Sequence, residues 1–151
     1  MTSIEAIAPI TRTISVRCDT ETAFRVFTHE VATWWPLETH ALHPGAVREV
    51  VWEEQVGGEV YEISTGGERA HWADVTAWDP PHRLAIAWKV NPEALAATDV
   101  EVTFTPEGDG TRVDLVHSGW ERLGDTAAET RGNDDGGWVT VLGRYEAALD
   151  R

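Results

Sequence analysis

Six short segments of alternating polarity, cut apart by glycine and proline pairs, constrain this chain more than any other feature of its sequence. They cover residues 47–56, 59–64, 69–78, 82–90, 98–105 and 111–119. The breaks are Gly57-Gly58, Gly66-Gly67, Asp79-Pro80-Pro81, Asn91-Pro92 and Gly108-Asp109-Gly110. Connections so short and so rich in turn residues predict antiparallel hairpins. Two segments show their faces plainly. His82, Leu84, Ile86, Trp88 and Val90 share one side, opposite Arg83 and Lys89; Val100, Val102 and Phe104 oppose Asp99, Glu101 and Thr103. In residues 69–78 the uniformly apolar set Ala73, Val75 and Ala77 is read as inward, which turns Trp72, Asp74, Thr76 and Trp78 outward.

A seventh strand precedes these. Residues 11–18 alternate Ile14, Val16 and Cys18 with Thr13, Ser15 and Arg17, the period of a half-buried strand. Asp19 and Thr20 then offer side-chain acceptors to a helix start, with Glu21 in the first turn. Ala23, Phe24, Val26, Phe27 and Val31 recur at helical spacing, and Pro36 stops the pattern after Trp34-Trp35. A last helix is predicted from Asn133 or Asp134, carrying Trp138, Val141, Leu142, Tyr145, Ala148 and Leu149 on one face. The acid-rich stretch 121–135 before it reads as a solvated connection. A seven-stranded antiparallel sheet with one apolar face needs a cover, and the terminal helix is the only long element able to supply it. The prediction is an α+β protein, one domain over residues 1–151.

Composition narrows the partners. Asp and Glu number 26 against 12 Lys and Arg, a formal charge of −14. So acidic a surface repels phosphate backbones and anionic lipid, which argues against nucleic acid and membrane partners and says nothing against a neutral small molecule or a protein. Cys18 is the sole cysteine, so no intramolecular disulfide and no cysteine-based zinc site can form. The first ten residues lack the basic flank and apolar run of a signal peptide, and no stretch approaches the ~20 apolar residues of a membrane span. A cytoplasmic protein is the expectation.

Catalytic and cofactor motifs are weak. The glycine pairs lack the Lys and Ser/Thr of a phosphate-binding loop and read as turns. No G-x-S-x-G elbow occurs, and Ser118 beside His117 on a strand points to the opposite face. Glu38, His40 and His43 in the loop ETHALH invite a metal reading, but their spacing is not that of a helical ligand pair. No catalytic residue, metal or cofactor is assigned.

Taken in order, several segments resemble a known superfamily. They are AFRVFTHEVATWWP at 23–36, the VGG turn at 56–58, ADVTAWDPPHRLAIAW at 73–88, TRVDLVHSGW at 111–120 and the GGW that opens the final helix pattern at Gly136. Spread over residues 12–149, they resemble the START-like, or SRPBCC, superfamily, and within it the family related to the C-terminal domain of the Hsp90 ATPase activator (AHSA1-like). The resemblance implies the helix-grip fold, a curved sheet wrapped around the C-terminal helix, often with an elongated cavity between them. It leaves function open, since the superfamily holds lipid and steroid carriers, hormone receptors, polyketide aromatases and cyclases, and chaperone activators. Full activators carry an additional N-terminal Hsp90-binding domain; this sequence begins at the first strand, which weighs against a co-chaperone role.

Eight tryptophans remain to be placed. Trp88 and Trp138 lie on the apolar faces of their strand and helix and should meet in the space between. Trp34 and Trp35 end the first helix, where a helix-grip fold opens, and Trp120 follows the His117-Ser118-Gly119 turn. His117 shares parity with Val113 and Leu115 and should point inward. A packed core with a hydrogen-bonded histidine is the plain account of such residues. The more specific account makes Trp34, Trp35, Trp88, His117, Trp120 and Trp138 the lining of a pocket for a small hydrophobic or aromatic ligand, aromatic walls supplying shape and His117 the polar anchor. The expected function is therefore that of a non-catalytic carrier or sensor. The alternatives are a cyclase- or aromatase-like enzyme in which His117 moves protons, and an Hsp90-related interaction domain. A second copy of the chain or a chaperone are the protein partners left open.

Overall fold

The computed structural model describes residues 8–89 and 96–149; Val90, the Asn91-Pro92 turn and the first seven residues lie outside them. Strand β1 (Ile10–Val16) leads into helix α1 (Thr20–Thr28). The Asp19 carboxylate starts that helix by accepting the Thr22 N–H at 2.8 Å. The helix buries Ala23, Phe24, Phe27 and Thr28. It stops at Thr28, and a short 3-10 turn, Val31–Thr33, sets Trp34 and Trp35 into the interior ahead of Pro36.

Strands β2 (Val47–Trp52), β3 (Glu59–Ser64), β4 (Arg69–Asp79), β5 (Arg83–Trp88), β6 (Thr98–Glu107) and β7 (Gly110–Ser118) follow as successive antiparallel neighbours. β1 returns to pair with β7, from Ile10 opposite His117 to Val16 opposite Thr111. The sheet order is β1-β7-β6-β5-β4-β3-β2, the α+β helix-grip arrangement. Gly110 allows the closure of β1 on β7, since a Cβ there would stand 2.2 Å from the Val16 carbonyl oxygen. The inward rows of β5, β6 and β7 are as the alternation predicts. Leu84, Ile86, Val100, Val102, Phe104, Val113 and Leu115 are all buried, each worth about 1.5–3 kcal/mol of apolar transfer.

Strand β4 departs from simple alternation. Its pairing slips by one residue against β3 between Val60 and Tyr61, and against β5 between Val75 and Ala77. The first bulge places Trp72 and Ala73 both in the interior, at 2% and 0% exposure. Thus Trp72 faces inward, not outward, because the inserted residue resets the parity. Past the second bulge Trp78 also turns towards α1 and meets Phe24 edge-on at 4.9 Å.

The C-terminal helix begins earlier than its apolar pattern suggests. A 3-10 segment, Trp120–Thr126, buries Trp120 and Leu123, and α2 runs over Ala127–Leu149. Gly132 and Asn133 are poor helix formers, so tertiary contacts hold this first stretch. The Arg131 guanidinium donates to the carbonyls of Ala8 and Pro9, and Arg12 of β1 pairs with Asp135. Further along, Trp138, Val141, Leu142 and Tyr145 are buried against the sheet and α1. The Tyr145 hydroxyl donates to the Ala23 carbonyl at 2.6 Å, tying α2 to α1. No helix among the described residues is long and apolar enough to cross a membrane.

Candidate ligand-binding site

Between α2, the ends of β4 and β5, and the loop after Pro36 lies a cavity of about 240 Å³. Four indoles wall it: Trp35, Trp72 from the β4 bulge, Trp88 from β5 and Trp138 from α2. Their rings pack as a cluster, with Trp35 5.0 Å from Trp72, 6.0 Å from Trp88 and 6.1 Å from Trp138 between centroids, Trp72 6.0 Å from Trp88 and Trp88 5.9 Å from Trp138. Thr39, His40, Ala41 and Leu42 of the loop cap one side, while Asp134, Gly137 and Val141 complete the helix side.

Three of these indoles are fixed by a hydrogen bond at the ring nitrogen. Trp35 donates to the His40 carbonyl at 2.7 Å, Trp72 to the Glu62 carboxylate at 2.7 Å, and Trp138 to His117 Nδ1 at 2.9 Å. An aromatic wall held this way keeps its shape when empty, which lowers the cost of binding a flat molecule.

Glu62 anchors the capping loop. It lies on β3 at 0% exposure, and one carboxylate oxygen accepts the Leu42 N–H at 2.6 Å besides that of Trp72. The other accepts the His43 N–H and meets His43 Nδ1, each at 2.8 Å. Burial opposes ionisation of Glu62, but these hydrogen bonds outweigh it and hold the carboxyl below its ordinary range. The bond from Glu62, aided by Glu68 at 3.3 Å from Nε2, raises the His43 pKa. His43 of ETHALH is thus engaged in clamping the loop. Glu38 pairs with Arg144, and His40 Nδ1 lies 2.6 Å from the Thr39 hydroxyl. Among the described residues no group of three or more His, Cys, Asp or Glu is arranged to hold a metal.

His117 stands behind the wall. It is fully buried, and its tautomer follows from its partners. Nδ1 faces the Trp138 N–H, which can only donate, so the proton sits on Nε2, 2.6 Å from the Thr98 hydroxyl. Burial drives its pKa down to about 3, with Asp99 opposing weakly. Both ring nitrogens are committed and the imidazole is neutral. Trp120 packs on His117 at 4.2 Å between ring centroids and donates to its carbonyl. Trp34 donates to the Val26 carbonyl and packs on Phe27 and Tyr145. Of the residues singled out from the sequence, Trp35, Trp88 and Trp138 border the cavity, whereas Trp34, His117 and Trp120 form the layer that supports it.

Asp134 is the titratable side chain that sequence reasoning passed over. It projects from α2 into the wall and has no side-chain hydrogen bond or ion pair among the described residues; burial pushes its pKa up to about 6. Its neighbour Asp135 faces the other way, to Arg12. The sequence signal was only its place one turn before Trp138, on the same helix face.

With this geometry in view, comparison with known proteins is informative. The family model described as activator of Hsp90 ATPase homolog 1-like protein matches residues 17–150. CalC, a self-sacrificing resistance protein from Micromonospora echinospora, superposes with a TM-score of 0.73 at 29% identity, covering 95% of this chain and 94% of that one. An anthrahydroquino-gamma-pyrone synthase, Txn09, is 31% identical over 96% of this chain and 99% of its own, with a TM-score of 0.64. The Aha1 dimer from Colwellia psychrerythraea shares the fold at 18% identity and a TM-score of 0.66, covering 95% of this chain and 96% of that one. No curated protein sequence matches.

Proposed function

The chain belongs to the activator of Hsp90 ATPase homolog 1-like family, and we propose that it binds a small, flat aromatic molecule between its sheet and C-terminal helix. The observation that carries this reading is a cavity of about 240 Å³ bordered by a cluster of four indoles, three of them held by a hydrogen bond at the ring nitrogen. A core built only for stability leaves few voids larger than a water molecule. The volume lies just under the ~300 Å³ at the small end of ligand pockets, which suits one or two rings. Trp35, Trp72, Trp88 and Trp138 supply the contact surface, and His117 orients Trp138 from behind.

Native mass spectra of the purified protein, taken before and after organic extraction, test the reading. A stoichiometric adduct that is lost on extraction and reduced in Trp72→Ala is the expected result. A clean apo mass, together with no quenching of tryptophan fluorescence by naphthylmethanol, would remove it.

A second reading is favoured by one observation. Txn09, at 31% identity, is named an anthrahydroquino-gamma-pyrone synthase, and in this chain Asp134 brings a carboxyl with a pKa of about 6 to the cavity wall. In this reading the cavity positions a poly-ketone chain for ring closure and Asp134 carries the proton. The distinction is experimental: turnover of a poly-ketone surrogate that vanishes in Asp134→Asn, with binding retained, belongs to an enzyme. Binding without turnover belongs to a carrier or sensor.

A further inference from the structure

We infer that the ligand of this cavity is an aromatic cation, a one- or two-ring molecule bearing a protonated amine that pairs with Asp134 beside the indole faces. The inference rests on the reading of the cavity as a ligand site and adds the charge its ligand carries.

Three features of the wall point the same way. Indole faces carry negative electrostatic potential and attract a cation within about 6 Å of the ring centroid, and four of them line this space. Asp134 is the one carboxylic acid among the described residues that line the cavity. A carboxylate taken from water is normally repaid by hydrogen bonds or a partner charge. Glu62 has its hydrogen bonds, Glu38 has Arg144 and Asp135 has Arg12. Asp134 has none of these among the described residues, and a cationic group on the ligand would supply the missing partner. Among the described residues no lysine or arginine lines the cavity. Among the described residues His40 is the single basic side chain there, and one of its ring nitrogens already meets Thr39. An anionic ligand would therefore enter against Asp134 with little to hold it. The net charge of −14 acts in the same direction over longer range, concentrating cations and repelling anions.

Three probes matched in size and differing in charge test the inference on the intact protein: naphthylmethylammonium, naphthylmethanol and naphthoate. Affinities are read by quenching of tryptophan fluorescence in mildly alkaline buffer, with stoichiometry from native mass spectrometry. The ammonium should bind about tenfold more tightly than the alcohol, and naphthoate should bind weakest. In Asp134→Asn the ammonium should fall to the affinity of the alcohol while the alcohol is unchanged; circular dichroism confirms the helix. Equal binding of ammonium and alcohol to the unmodified protein would overturn the inference and leave the cavity reading standing. Preference for naphthoate would overturn it in the same way and point to His40. Failure of all three to bind would remove the cavity reading and the inference with it.

Discussion

The indole N–H of Trp138 donates to Nδ1 of His117 across 2.9 Å, joining the C-terminal helix to the end of strand β7 by one buried polar contact. The bond decides the histidine tautomer, and the tautomer in turn points Nε2–H at Thr98, whose hydroxyl reaches the Trp88 carbonyl at 3.4 Å. Two walls of the cavity, Trp138 and Trp88, are thus linked through a single imidazole.

His117→Leu should consequently destabilise the protein by roughly 1–3 kcal/mol or more, since it strands the Trp138 N–H in the interior and removes the bond that the Thr98 hydroxyl accepts from Nε2. Urea denaturation gives the stability change. The emission of Trp138 should become more heterogeneous as the ring loses its anchor. An unchanged midpoint would show that the chain of bonds contributes nothing to stability.

Acid stability should carry opposing signatures of His117 and Asp134. The folded state keeps His117 neutral down to about pH 3, whereas the unfolded chain takes up that proton near 6.5. Its contribution is present above 6.5 and lost as pH falls, at up to about 1.4 kcal/mol per pH unit. Asp134 does the reverse: its folded pKa of about 6 exceeds the unfolded ~3.9, so folding gains from its protonation as pH falls from 6 towards 4. Between these values the two should nearly cancel. Arg131 and the Arg12–Asp135 pair flank Asp134 on α2, His40 faces it from the loop, and Asp99 is the charge felt by His117. Asp134→Asn removes the compensation, and the slope of stability against pH from 6 to 4.5 should steepen by about one proton. An identical slope in the variant would refute the assignment.

Glu62 should act as the latch of the capping loop. Glu62→Gln replaces an acceptor of four donors by a group with only one acceptor oxygen, leaving amide hydrogens against the donors of Leu42, His43 or Trp72. Hydrogen exchange at Leu42 and His43 should accelerate at least tenfold, with little change at β6 and β7. The raised pKa of His43 adds a direction: its ion pair is complete below pH 6.5 and is lost as pH rises through the folded value. Loop protection should fall on that alkaline side.

Trp72 and Trp120 should separate binding from support. Trp72→Ala opens the wall itself and should weaken naphthylmethanol binding more than tenfold. Trp120→Phe, in the layer behind, should lower stability by about 1–2 kcal/mol through the lost hydrogen bond and ring contact. It should leave binding within about twofold. The opposite ranking would place the ligand elsewhere.

Much of the fold was legible in the chain because its causes are local. The hairpin turns need only glycine and proline, and the inward rows Leu84-Ile86 and Val100-Val102-Phe104 follow from a period of two. The apolar face of α2 from Trp138 to Tyr145 follows from a period of 3.6. The sequence alone determined the strand count, the seven-stranded antiparallel sheet, its helical cover and three of the four cavity indoles. Tertiary structure decided the rest. Trp72 enters the wall through a bulge, and one inserted residue reverses a parity that alternation cannot foresee. Glu62 sits on a strand whose other face carries Tyr61 and Ile63, so alternation gave no reason to bury an acid; partners from a loop nineteen and twenty residues away make that burial tolerable. Asp134 stands in the sequence only at the predicted start of the last helix; bonds from Arg131 to the Ala8 and Pro9 carbonyls, and from Arg12 of the first strand to Asp135, hold this stretch within α2, where Asp134 borders the indoles. Periodicity records what a residue does with its nearest neighbours in the chain, whereas a buried charge depends on groups that only folding brings within hydrogen-bond reach.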